Sequence, residues 1–386
     1  MAPLLNRPAG RDRMVVNYLR RELYPHSEAA RTRISEAGIV GGGFRSLADL
    51  QAVSPVGLDE LDSAADYVLR PTRQGLIRSG RPYLRFRTFW ASTWGRWDAF
   101  LRAIEPLYRP VHFFNADGVP LGASAADLVR LAGIGTQWLR ALGVTRADTV
   151  ALVGGASSGI EAWELSGGTR RAGVSLAVLD DASAAARHAV SIVAGTEADV
   201  LAALASGTWP ALRLAVVLAP NGDAVAQRLA QLGATERVAL RLAAAVPGTR
   251  SVWFECRGGA EYGWHTTPEA EYVELDEHQE VVWTGLGWAG TVLLRLRTDV
   301  RAERIDDTPC AACGHQGARV FLAHGRASLA RWLHADPRVA DWRLTPTGAE
   351  VLPTRAGANA KLVNDAKKAF PDHPVTVKTK KAWGDA

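Results

Sequence analysis

Thr149-Val150-Ala151-Leu152-Val153-Gly154-Gly155-Ala156-Ser157-Ser158-Gly159-Ile160 reads as a short apolar run, a glycine-rich turn and the start of a helix. The run is too short for a buried helix and rich in β-branched residues, so it predicts a buried strand. Downstream, the periodicity predicts a helix over Gly159–Arg171, a strand over Val174–Leu179, a helix over Ala182–Val193 and a strand over Leu212–Leu218. Strands and helices in alternation form βαβ units, whose right-handed crossovers make a parallel sheet and an α/β fold. Upstream, a helix is expected over Ala123–Leu142, closed by Gly143 in the left-handed conformation. Nearer the N-terminus, apolar residues at helical spacing mark Met14–Leu23 and Ser27–Glu36, and Ser46-Leu47-Ala48-Asp49-Leu50 reads as a capped helix start. After Gly248 the pattern changes to short alternating strands, Ser251–Glu255, Glu271–Leu275, Val281–Thr284 and Gly290–Leu296, and these predict a smaller antiparallel or mixed sheet. The expected organisation is a large domain over 1–325 and a small C-terminal α+β unit over 326–386.

The opening turn carries most of a dinucleotide-binding fingerprint, with Asp180 and Asp181 at the end of the following strand. Three features oppose that reading. Glu161 stands where a further glycine belongs, the unit begins 150 residues into the chain, and there is no Tyr-x-x-x-Lys pair. A tight strand-to-helix turn is the plainer reading.

Composition narrows the function classes. The chain has 386 residues, 47% apolar and 22% charged, as in folded globular proteins. Its net charge of +5 is spread among acidic residues, so nucleic-acid binding is not expected. The longest apolar stretch is about half a membrane span. With no secretory signal and an odd number of cysteines, the expectation is a soluble cytoplasmic protein with reduced thiols and no membrane partner. All six lysines fall in the last 26 residues, which sets the tail apart.

The cysteines form the clearest constellation. Pro309-Cys310-Ala311-Ala312-Cys313-Gly314-His315 presents two thiols in a turn, half of a tetrahedral zinc site. Cys256, followed nine residues later by His265, supplies the other half, and His315 is an alternative fourth ligand. Three thiolates and an imidazole leave no position for water, so the expected zinc is structural. Buried cysteines without a metal are the alternative.

These residues resemble the phenylacetate–CoA ligase branch of the adenylate-forming (AMP-binding) enzymes. The likeness runs through Phe254-Glu255-Cys256, Gly263-Trp264-His265, Glu271–Leu275, Val292–Asp299, Cys310–Gly314 and Gly325-Arg326, and takes in the N-terminal helices and the Gly143–Val174 unit. It favours His265 over His315 as the zinc ligand. It implies that ATP and magnesium activate a carboxylate as an acyl-adenylate, and that the acyl group passes to CoA or another carrier thiol. Asp299 would hold the ribose hydroxyls and Arg326 would lie at a hinge. A tail lysine, Lys378, Lys380 or Lys381, would contact the acyl phosphate. Ser92, Thr93 and Gly95 match what is left of the phosphate loop.

The sequence departs from that family where ATP is handled. Phe89-Trp90-Ala91-Ser92-Thr93-Trp94-Gly95-Arg96 puts two tryptophans into a loop that depends on glycine's freedom. Ala245-Val246-Pro247-Gly248-Thr249-Arg250-Ser251-Val252 lacks the acidic magnesium ligand, and no carboxylate follows until Glu255. Three functions therefore stand: a divergent acid–CoA ligase or biosynthetic adenylase acting on a small carboxylic acid, aromatic acids included; a non-catalytic scaffold that binds a partner; and an ATP-independent acyl transferase with His112 or His265 as base. A dimer is compatible with each.

Overall fold

The computed structural model describes residues 8–40, 43–61, 63–78, 82–154, 159–180, 189–206, 209–219, 223–232, 234, 237–322, 332–333, 336–344, 348–355, 359–370 and 374–379. The chain forms two compact units: Met1–Gly135 with Ala245–Trp253 and His265–Val320, and Thr136–Ala244 with Phe254–Trp264 and Phe321–Ala386. The expected boundary at 325 falls among residues outside the described set.

The first unit begins with helices at Pro8–Tyr18, running on as a π-helical turn over Leu19–Leu23, and at Glu28–Glu36. Ser27 caps the latter through its Oγ, which accepts from Ala30 N. The expected start at Ser46 is a capping box in which Asp49 accepts from Ser46 N at 2.9 Å. Strands β1 (Pro110–Ala116) and β2 (Val119–Ser124) form a hairpin. Asp117 and Gly118 turn it with φ of 47° and 90°, the two-residue Asp-Gly turn whose twist suits a hairpin.

In the second unit, β3 (Thr149–Val153), β4 (Ser175–Leu179), β5 (Ile192–Gly195), β6 (Leu214–Val217) and β7 (Ala239–Ala245) run parallel in the order β4-β3-β5-β6-β7. Helix Ile160–Ala172 connects β3 to β4 and ends at Gly173, φ 69°. Glu197–Ala205 connects β5 to β6, and Asp223–Gln231 connects β6 to β7. The helix expected over Ala182–Val193 is corrected at its end, where Ile192 and Val193 lie in β5; residues 181–188 are outside the described set. Two buried β-branched residues between β3 and β6 satisfy their backbone in the ladder.

Asp148 anchors the base of this sheet. It accepts from Arg213 at 2.7 and 2.9 Å, from Ser191 Oγ at 2.8 Å and from Thr145 N at 2.8 Å. Burial opposes its ionisation, but the Arg213, Thr145 and Ser191 donors hold its carboxyl well below the usual range.

Strands β8 (Val252–Phe254) and β9 (Trp264–His265) precede β10 (Glu271–Leu275), β11 (Glu280–Gly285), β12 (Leu296–Asp306) and β13 (Arg319–Leu322). Strands β10, β11 and β12 are antiparallel neighbours. The strand expected over Gly290–Leu296 is corrected: regular pairing starts only at Leu296. The preceding backbone bonds instead to β2, to a helix side chain and to a 3-10 turn. Ala289 N and Gly290 N donate to Asp127, Thr291 N to Gly122 O and Val292 N to Tyr67 O. Near the C-terminus, β14 (Val339–Leu344), β15 (Ala349–Pro353) and β16 (Val375–Val377) form a three-stranded sheet accompanied by helix Asn359–Ala369. The architecture is α/β, with a large mixed sheet that holds the parallel βαβ strands and the antiparallel strands, and a smaller sheet near the C-terminus.

Candidate functional site

The expected metal ligands come together. One ligand atom from each of Cys256, His265, Cys310 and Cys313 lies within 4.8 Å of all the others. The first three residues are buried and Cys313 is half-buried. His265 Nε2 sits 3.4 Å from Cys313 Sγ. Local turns explain why these thiols point together. Gly314 N donates to Cys310 O at 2.8 Å, with Gly314 at φ 75°, and Cys310 N donates to His315 O at 3.0 Å. Around Cys256, Gly258 N approaches the sulfur at 3.3 Å, an N–H···S contact that suits a thiolate. Arg241 Nε donates to Cys256 O at 2.8 Å and holds that turn from below.

The two histidines take different roles. His315 Nε2 lies 2.7 Å from Thr266 O, so this ring is a spacer and not part of the four-atom group. Gly317 belongs to the same packing: a Cβ there would collide with Thr266 O and crowd His315 Nε2. Sequence reasoning missed Gly317 and Arg241; the glycine three positions beyond Gly314 was the available signal. The donor set of three sulfurs and one imidazole nitrogen fits a metal ion with a closed tetrahedral shell.

The residues expected to meet nucleotide are spread more widely. Asp299 sits in a bulge of β12: Glu280 pairs with Arg301 and Val282 with Arg297, so two steps on β11 face four on β12. Its φ is 56°, its N donates to Glu280 Oε1 at 3.0 Å and its side chain is exposed. The adjoining Thr298 pins the bulge by donating to Val281 O at 2.7 Å. A non-glycine residue in this conformation costs free energy, which places the carboxylate outward at the expense of local stability.

Ser92, Thr93 and Gly95 are not on a flexible loop. Helix Pro82–Thr93 runs through the first two, and Thr93 Oγ1 donates back to Phe89 O at 2.9 Å. Gly95, φ 65°, turns the chain into helix Trp97–Ile104. The segment that the resemblance sets in the place of a magnesium ligand is buried: Thr249, Arg250 and Ser251 are each at most 1% exposed. Arg250 donates to Gly122 O and Thr291 O, pairs with Asp127 at 3.8 Å and lies 4.8 Å above the Trp288 ring. Glu255, also buried, accepts from Leu242 N at 3.0 Å.

Lys378 follows β16 and pairs with Glu350 at 2.9 Å. Arg326, Lys380 and Lys381 lie outside the described residues. His112 is half-buried on β1, 4.6 Å from the Phe114 ring. At the dinucleotide-like turn, a Cβ on Gly154 would strike the Asp199 carboxylate, so that glycine is explained by packing; residues 155–158 are outside the described set.

The chain is similar to solved structures of 2-hydroxyisobutyryl-CoA ligase. One, in an open conformation with 2-HIB-AMP and CoA, has a TM-score of 0.61 at 13% identity, covering 96% of this chain and 88% of that one. Another, in the postadenylation state with 2-HIB-AMP, has a TM-score of 0.63 at 14% identity, covering 96% and 86%. No family model matches the sequence, and no curated protein matches it. At this identity the likeness is one of fold. The chain has the α/β architecture of the adenylate-forming ligases over nearly its whole length.

Proposed function

We propose that this chain is a divergent acid–CoA ligase of the phenylacetate–CoA ligase type. A carboxylate oxygen attacks the α-phosphorus of ATP and pyrophosphate leaves; a thiolate, from CoA or an acyl carrier, then attacks the acyl carbon and AMP leaves. The observation that carries this reading is Asp299, exposed on a strained bulge of β12 in a chain that shares its fold with a ligase seen with acyl-AMP and CoA. In the proposal Asp299 accepts from the ribose hydroxyls, Gly95 and Thr93 border the phosphates, Arg326 lies at a hinge and Lys378 leaves Glu350 for the acyl phosphate. Cys256, His265, Cys310 and Cys313 hold one structural zinc. The protein acts in the cytoplasm.

A second reading is a non-catalytic scaffold. It is favoured by the helix through Ser92 and Thr93 and by the burial of Thr249–Ser251. Carboxylate-dependent exchange of pyrophosphate into ATP, run over a panel of acids, separates the two. Exchange that Asp299→Ala abolishes supports the ligase. A scaffold shows neither exchange nor ATP binding, and acyl transfer between thioesters without ATP would point to the transferase.

A further inference from the structure

Helix Pro82–Thr93 has two apolar faces, and only one is used. Leu84 packs with Leu76, Phe100 and Ile104, with Ala91 half-buried beside them. Around the other side, Tyr83, Phe86, Trp90 and Trp94 follow at helical spacing, with Phe89 alongside, and these five are 45–66% exposed. The rings are ordered against one another: Phe86 meets Trp90 edge-on at 5.9 Å, and Trp90 stacks on Trp94 at 5.9 Å. A contiguous apolar patch of this kind marks an interaction surface.

Charge indicates the occupant. Residues 73–109 contain eight arginines and two acidic residues, a net charge of 8 − 2 = +6 in a chain whose total is +5. Arg85 and Arg87 flank the aromatic stripe, and Arg96 follows it at the helix end; all three are exposed. Arg87 lies 5.4 Å above the Tyr83 ring and donates to its hydroxyl at 2.7 Å. Beside the stripe, Ile77, Pro82, Arg85, Phe86 and Phe89 line a shallow groove of roughly 390 Å³. A second copy of the chain would bring like charge against like charge across a two-fold axis. Aromatic rings that insert at an interface, with arginines to meet anionic headgroups, match a lipid surface.

We propose that helix Pro82–Thr93 and the turn after it dock the protein peripherally on anionic membranes, with Phe86, Trp90 and Trp94 at the acyl boundary and Arg85, Arg87 and Arg96 on the headgroups. No helix among the described residues is long and apolar enough to cross a membrane, so the contact is one of surface only. The docking face adjoins Thr93 and Gly95, which the proposed function sets beside the phosphates, so binding is measured without ATP and the two readings fail separately.

The test is co-sedimentation of the full chain with phosphatidylcholine vesicles, with and without phosphatidylglycerol, at low and high salt. Binding is expected only with phosphatidylglycerol and is expected to weaken with salt. Arg85→Glu with Arg96→Glu should lower the partition coefficient by about 25-fold or more, at about fivefold per arginine lost. Phe86→Ser with Trp90→Ser and Trp94→Ser should abolish it, with the melting temperature of each variant reported alongside. The proposal is overturned by any of four results: no binding to the anionic vesicles, equal binding to both lipids, a dimer that the triple substitution dissociates, or binding to single-stranded DNA alone that the same substitutions remove.

Discussion

Asp299 shows how far a single residue can be followed. The resemblance names it as a ribose ligand, but only its backbone shows what holding it there involves: a left-handed φ, a bulge fastened by Thr298, and an N–H tied to Glu280. A carboxylate accepting from two hydroxyls contributes about 3 kcal/mol. Asp299→Ala should therefore reduce pyrophosphate exchange by about 100-fold, while its exposed position keeps the stability change below about 1 kcal/mol by denaturant titration. Asp148 predicts the reverse pattern. Its folded pKa lies below its unfolded value near 4, so the stability it contributes is complete above about pH 4 and is lost as pH falls through the depressed folded value. Asp148→Asn should remove about 2 kcal/mol at neutral pH and flatten the acid limb of the stability profile below about pH 4. Glu271 is a third case, invisible in the sequence. It is fully buried, and burial pushes its carboxyl above the usual range even though Ser251, Thr267 N, Trp253 and Trp283 all donate to it at 2.6–3.0 Å. Glu271→Ala would leave those donors unmet, at about 3 kcal/mol or more by chemical denaturation.

Elements differ in how openly the sequence declares them. The βαβ run from Thr149 was legible because short apolar runs, glycine turns and helical spacing agree there, and Gly143 and Gly173 close their helices at φ 74° and 69°. The metal turn was legible because Cys310 and Cys313 at this spacing have few other uses, and Cys256 and His265 join them in space. Two elements misled. The run Val292-Leu293-Leu294 looks like a strand, yet Ala289, Gly290, Thr291 and Val292 give their N–H groups to Asp127, Gly122 and Tyr67, partners far away in sequence. Residues 89–93 match a phosphate loop by resemblance, yet they continue a helix held by the packed face of Leu84, Thr88 and Ala91 and not by the weak helix propensity of Phe, Trp, Ser and Thr. The metal turn makes its own prediction. Purified protein should contain about one zinc per chain, and Cys256→Ser should lower the melting temperature by about 10 °C, because metal binding is coupled to folding. Absence of zinc from elemental analysis, with an unchanged melting point in the variant, would remove the metal from this account.

At the scale of the whole molecule, fold and chemistry separate. The fold is shared with solved 2-hydroxyisobutyryl-CoA ligase structures over 96% of the chain at 13–14% identity, and a shared fold does not by itself carry the chemistry. The proposed chemistry rests on fewer residues, and those were only partly legible: Asp299 is presented outward, whereas Arg250 fills the segment expected to meet magnesium with buried structure around Asp127 and Trp288. No pattern in the sequence distinguishes an arginine that lines a site from one that fills a core, because both are a single basic residue among small neighbours. The central claim is that this altered scaffold still forms an acyl-adenylate. Its most direct test is mass spectrometry of the chain after incubation with ATP, magnesium and a panel of carboxylic acids, without thiol acceptor. The account predicts about one acyl-AMP per chain with at least one acid, formed about 100-fold more slowly with Asp299→Ala; no adenylate with any acid, together with no ATP bound at saturating concentration, would contradict it.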